Sequence, residues 1–138
     1  MLTMAGASTG AAMATVGDLT VQPGVRSGYH LHPNTEEAIF VVEGEMEFRV
    51  GTARFKASAG DCVLAPAGIG HGLENVGDSP ARLITIYPTA EPEREALQDV
   101  EYTDGDAPST VFVRSKNEPY EFMAGVSRHD MVGDFLGS

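Results

Sequence analysis

The 138-residue chain is short of positive charge, of cysteine and of long apolar runs. Nine Lys and Arg stand against 20 Asp and Glu, a formal net charge of −11 at pH 7. Nucleic-acid backbones and anionic membrane surfaces both select clustered Lys and Arg, so this balance argues against either as a partner. An anionic small molecule is not excluded, because a bound metal reverses the charge locally. Cys62 is the single cysteine, so no internal disulfide can form and a reducing compartment is expected. In the short apolar run Asp61 to Ala65 it reads as a small buried hydrophobe. No stretch is long enough to span a bilayer, and Met1 to Val16 lack the basic residues and uninterrupted apolar core of an export signal. A soluble, cytoplasmic protein is the expectation. A Ser-His-Asp order and a Cys-x-x-Cys pair are missing too, and Gly68-Ile69-Gly70-His71 lacks the strand–helix context of a nucleotide loop.

What is present is turn chemistry and short alternating runs. A hydrophobic content of 42% with 16 glycines suits one all-β domain with a real core. Residues 12–22 read as a strand or two ending at Pro23-Gly24. Residues 36–42 and 45–50 read as a hairpin about Gly44, with Met46, Phe48 and Val50 on one face and Glu45, Glu47 and Arg49 on a wet one. Residues 53–57, 61–65, 71–76 and 81–87 supply further strands, separated by Gly and Pro turns. Ala38, Phe40 and Val42 make the outer face of their strand apolar, so a second subunit is expected to cover it as a homodimer.

The histidines carry the chemistry. Five residues separate Gly24 from His30, one separates His30 from His32, four separate His32 from Glu37, and six separate Glu37 from Gly44. A second run places five residues between Gly60 and Pro66, then Gly68, His71 and Asn75. Residues two apart on a strand share a face, so His30 and His32 can share one ion. Glu37 falls in register with Ile39 and Val41, which makes it a charge at the mouth of an apolar interior. Such a charge needs a partner, and a metal is one; Glu36 falls on the opposite face. Three imidazoles and a carboxylate suit a divalent transition metal (Fe, Mn, Ni, Zn or Co) with one or two positions left open. Gly24, Gly44, Gly60, Gly68 and Asn75 read as turn-formers.

These two runs resemble the paired motifs of the cupin superfamily over roughly residues 14–90. The resemblance implies a small antiparallel β-barrel of jelly-roll type and carries the ligand role onto His30, His32, Glu37 and His71. It also implies a metal-dependent protein acting on, or sensing, a small molecule. Dioxygenases, decarboxylases, isomerases and lyases share such ligands, as do proteins with no known reaction. An enzyme is favoured, with an oxygen-rich substrate such as an enediol, keto acid or phenol chelating the metal, and with dioxygenase chemistry first. A non-catalytic sensor or storage domain is the alternative, and a structural ion that staples the barrel is a third reading.

Three further side chains are candidate pocket residues: Tyr29, Arg82 and Tyr87. His129, between Arg128 and Asp130, reads as solvated. Residues 89–99 read as a short helix, with Pro92 in its first turn and acids near its start. Beyond it, Val111-Phe112-Val113 reads as a strand that either returns to the edge of its own barrel or crosses to a partner. Tyr120 and Phe122 argue that the tail packs.

Overall fold

The computed structural model describes residues 1–133. The strands, in chain order, are β1 (Leu2–Ala5), β2 (Thr15–Val21), β3 (His30–Leu31), β4 (Glu37–Glu43), β5 (Glu45–Val50), β6 (Ala53–Ser58), β7 (Cys62–Ala65), β8 (His71–Asn75), β9 (Ala81–Tyr87), β10 (Glu95–Ala96), β11 (Thr103–Asp104), β12 (Tyr120–Met123) and β13 (Val126–Arg128). Single 3-10 turns occupy Ala7–Thr9 and Arg114–Lys116. One sheet runs β1-β2-β9-β4-β7 and a second runs β10-β3-β8-β5-β6-β11. They face each other as a jelly roll without joining into a closed cylinder. The core lies between them, with Val21, Ile39, Val41, Val63, Ala81 and Leu83 from the first sheet against Met46, Phe48, Phe55 and Ala57 from the second.

From β2 to β9 every connection crosses between the sheets except β5–β6. The hairpin expected about Gly44 therefore does not form: β4 pairs with β7 and β9, while β5 pairs with β6 and β8. Both strands carry apolar inner faces, and stacking them across the core buries both where lateral pairing would not. Gly44 permits the corner. Its φ is 103°, and a Cβ there would stand 2.7 Å from the Cβ and 3.0 Å from the Cα of Ala81. The true hairpin is β5–β6, turning at Gly51-Thr52.

Two other expectations change. Residues 89–99 form no helix; they begin in a bend, and Glu95 and Ala96 pair with Leu31 and His30. The segment has no 3.6-residue apolar stripe, and β3 offers a free edge, so strand pairing wins. Arg49 departs from its wet face, on which Glu45 is exposed and Glu47 partly exposed. Arg49 is 2% exposed: its guanidinium donates to the Ser27 carbonyl at 2.8 Å and to Asp99 at 3.3 Å, beneath the ring of Tyr102. Segment 97–104 is laid over that face, and Asp99, which also accepts from Arg26 and Tyr102, pins it there.

The tail returns to its own sandwich. Phe112 forms a bridge with Cys62, two backbone hydrogen bonds of 2.9 and 3.0 Å, in place of the strand expected at residues 111–113. Asp61 accepts from the Ser58 and Arg114 amides, closing the attachment. Residues 128–132 then lie across Ala38, Phe40, Leu64 and Ile86, leaving a cleft of about 450 Å³ on the face expected to meet a second subunit. His129 is half-buried rather than solvated, between Arg114, Asn117 and Phe112. The hairpin β12–β13 leaves Tyr120 and Phe122 exposed. Residues 134–138 lie outside the described residues.

Two outcomes test this packing. Gly44→Ala adds a Cβ at positive φ against Ala81 and is expected to lower unfolding free energy by about 2–4 kcal/mol, read as a lower urea midpoint at unchanged slope. Burial pushes the Cys62 thiol up to about 11 from its ordinary 9.0. Native Cys62 is then thiolate in about one molecule per thousand at pH 8. Iodoacetamide is expected to leave it unlabelled by mass spectrometry in native protein and to label it fully in urea. The native state keeps a proton that the unfolded chain loses between those two pKa values, so this site's contribution to stability falls as pH rises through that window.

Candidate metal centre

The centre forms at one end of the sandwich, where β3, β4 and β8 bring their first residues together. His30 pairs directly with His71 across the second sheet. Glu37 opens β4 in the facing sheet, and pleating turns it inward with Ile39 and Val41. Glu36 points to the outer cleft. His32 follows β3 by one residue and keeps the His30 face; its carbonyl accepts from the Gly68 amide at 2.9 Å, which joins the two motif turns. Asn75 is a turn-holder: its amide donates to the Val21 and Ser79 carbonyls and its oxygen accepts from Gly77.

One candidate ligand atom from each of His30, His32, Glu37 and His71 lies within 4.8 Å of every other. His32, Glu37 and His71 are buried and His30 is partly exposed, so the cluster opens to solvent on the His30 side. Each imidazole turns its Nδ1 to a backbone carbonyl: Gly28 at 2.8 Å from His30, Glu93 at 2.7 Å from His32, and Ile69 at 3.1 Å from His71. A carbonyl only accepts, so each Nδ1 carries hydrogen and each Nε2 is left to the centre. Glu37 Oε1 sits 3.0 Å from His71 Nε2 and 3.4 Å from His32 Nε2, and Oε2 accepts from Thr85 Oγ1.

The donor set fits a metal ion on two observations. His32 Nε2 is fully buried and makes no hydrogen bond, with the Glu37 carboxylate 3.4 Å away. Buried polar atoms are seldom left so unless something else completes them. The electrostatics agree. Burial works to raise Glu37, but polar contacts from His32, His71 and Thr85 outweigh it and hold the carboxyl below the usual range. Burial disfavours charge on His32, yet Glu37 and the Glu93 carbonyl outweigh it and raise its pKa. Burial, with the neighbouring His71, Arg94 and His32, lowers His30 to about 4, against the pull of the Gly28 carbonyl. His30 is thus a neutral donor at physiological pH, and the field around Glu37 favours a positive occupant.

The three pocket candidates separate. Tyr87 stands at the centre, its ring edge-on to His32 at 5.1 Å; burial and the Glu37 charge push its phenol above the ordinary range, so it stays protonated. Tyr29 lies on the opposite side of β3, its hydroxyl donating to the Gly51 carbonyl at 3.0 Å and its ring against Tyr102. Alternation with His30 puts it there. Arg82 points outward to a surface pair with Asp18 at 2.9 Å, because Leu83 and Thr85 take the inward positions of β9. Thr85 itself was legible: it is the polar residue in the buried set Ala81, Leu83, Thr85 and Tyr87. The strap at residues 89–97, whose Glu93 carbonyl positions His32, had no such signal.

A jelly roll with three imidazoles and a carboxylate gathered at one end defines a class, a small β-sandwich built around a candidate metal centre. Comparison with known proteins gives the family: residues 17–87 match the cupin domain model, and the chain belongs to that family. It is 34% identical to protein SchB of Streptomyces halstedii over 105 residues, 75% of this chain and 76% of that one. It is 34% identical over 77 residues to the polyketide synthase protein CurC of Streptomyces cyaneus, 56% of this chain and 50% of that one. With oxalate decarboxylase OxdC of Bacillus subtilis it shares 38% over 74 residues, 50% of this chain and 19% of the other. The chain thus spans half of CurC and about a fifth of OxdC. Among solved structures, OxdC superposes with a TM-score of 0.58 at 28% identity, over 62% of this chain and 24% of that one. A double-stranded β-helix protein of Klebsiella pneumoniae gives 0.63 at 21% identity, over 70% and 82%, a likeness of fold. OxdC has Mn(II) centres. Among the described residues no helix is long and apolar enough to cross a membrane.

Removing a ligand tests the centre. His71→Ala leaves Glu37 with a buried, under-partnered charge, and elemental analysis is expected to find most of the metal gone. Thr85→Val keeps all four ligands but frees one carboxylate oxygen, and is expected to weaken metal affinity about 10- to 100-fold in a chelator competition.

Proposed function

We propose that the protein is a divalent-metal-dependent enzyme acting on a small oxygen-rich metabolite that reaches the ion through two of its oxygens. The observation that carries this reading is the buried His32 Nε2, which makes no hydrogen bond among four converging donor atoms. His30, His32, Glu37 and His71 would hold the ion. When bound, it would supply Lewis acidity or a place for dioxygen. The chain's own groups do the rest. Three carbonyls and Thr85 orient the ligands, Tyr87 offers a protonated phenol beside them, and the buried walls exclude water except on the partly exposed His30 side.

Oxidation by dioxygen is the reaction we favour, because three imidazoles and a carboxylate leave one or two positions open for an oxygen-rich substrate or for dioxygen. Oxygen-independent carbon–carbon cleavage is the second reading, favoured by the likeness to oxalate decarboxylase. A homodimer, a reducing cytoplasmic setting and a small-molecule partner belong to the same reading. The distinguishing experiment is anaerobic purification with metal analysis, followed by oxygen uptake and carbon dioxide release over a panel of enediols, phenols and keto acids. Metal-dependent oxygen uptake supports oxidation, and carbon dioxide release at unchanged oxygen supports cleavage. Full metal loading with neither activity would favour the sensor reading.

A further inference from the structure

The strap that covers the centre has a register. Ala96 pairs with His30 and Glu95 with Leu31, antiparallel. The pairing stops there; continued by one step, the same register would set Arg94 opposite His32. Directly opposed residues project to one face, so Arg94 joins His30 and His32 on the side of the centre, and Glu93 and Glu95 turn away. The backbone on both sides of Arg94 is tied down. His32 Nδ1 donates to the Glu93 carbonyl, Asn34 bonds the Glu91 carbonyl at 3.0 Å and the Glu93 amide at 2.9 Å, and the Leu97 amide donates to the Tyr29 carbonyl at 2.9 Å.

Arg94 differs from the other arginines. Arg26, Arg49, Arg54, Arg82 and Arg128 each meet a carboxylate, and Arg114 bonds the Gly60 carbonyl. Arg94 is exposed and has no such partner among the described residues. Its charge nevertheless bears on His30, His32 and Tyr87, three groups of the centre. A guanidinium carried on this anchored backbone beside an ion site, with no carboxylate partner among the described residues, offers a fork of donors to a planar anion. In a chain of net charge −11, such a local cation is what would draw an anion to this mouth.

We propose that Arg94 is a specificity-determining residue, which selects a small carboxylate by meeting its charged oxygens at the mouth while the rest of the molecule approaches the ion. This rests on the metal-centre reading above. Chelation by the ion alone would accept neutral and anionic ligands alike; the arginine adds the preference for an acid.

The test compares oxalate with acetohydroxamic acid, which chelates as a hydroxamate and carries no carboxylate, on Mn(II)-loaded protein followed by water-proton relaxation. Arg94→Ala is expected to weaken oxalate about 10- to 100-fold, the range of one charge-assisted contact, and to leave Mn(II) affinity, acetohydroxamate affinity and the urea midpoint unchanged. Arg94→Lys is expected to restore part of the oxalate affinity. Equal oxalate affinity in wild type and Arg94→Ala would overturn the proposal, as would equal losses for both ligands or no oxalate binding by the wild type. If the wild type binds no Mn(II), the metal-centre reading falls and takes this proposal with it; Mn(II) bound with an Arg94→Ala ratio of one sinks the proposal alone.

Discussion

The Glu37 carboxylate is the constraint that the rest of this end of the molecule answers. It is 6% exposed and stays ionised there, against the cost of burial. Two imidazoles and a hydroxyl are brought to it from three different strands or strand ends, and both imidazoles are aimed by a further hydrogen bond. A burial cost of that kind is tolerated in natural chains when the charge has work at the site. The sandwich explains how the donors meet. Since nearly every connection crosses between the layers, residues far apart in sequence open adjacent strands at the same end.

The outer surfaces follow another rule. A jelly roll of two short sheets leaves edges and apolar backs, and here the chain's second half covers several of them. Residues 95–96 cap the edge at β3, residues 103–104 pair in parallel with β6, and Phe112 bridges to Cys62. Buried or partly buried polar pins fix these covers, Asp61 to the Arg114 amide and Arg49 to Asp99. The strap over the centre is therefore held by backbone pairing and by Asn34, and its position is coupled to the same β3 that carries His30.

The candidate donor set was legible because spacing encodes it. His30 and His32 differ by the pleat period, Glu37 shares the register of Ile39 and Val41, and the turn glycines and Asn75 fix where the two motif strands end. What escaped was decided by tertiary partners. Gly44 looks like a hairpin turn in isolation, and only the second sheet makes it a corner. Arg49 alternates as a surface residue, and only the later segment 97–104 buries it. Residues 89–99 carry helix-start chemistry, but a vacant edge at β3 outweighs a weak helix signal. Tyr29 and Arg82 fail as pocket residues on alternation alone, since His30 and Leu83 occupy the inward positions beside them.

Holding an ion and choosing a reaction are separable tasks in this architecture, and they fall to different parts of the chain. The four donors, their carbonyl anchors and Thr85 lie in the sandwich or are directly bonded to it, and their geometry would serve many chemistries. Discrimination between substrates has to come from groups that touch the ligand but not the ion. On the open side of this centre those are Tyr87, at the end of β9, and the strap at residues 89–97, which approaches His32 through the Glu93 carbonyl and places Arg94 beside it. A strap joined to the site by a few hydrogen bonds can vary in sequence without disturbing the ligands. The donor set therefore specifies only an ion site, and Tyr87 and the strap are the groups left to set any preference among ligands.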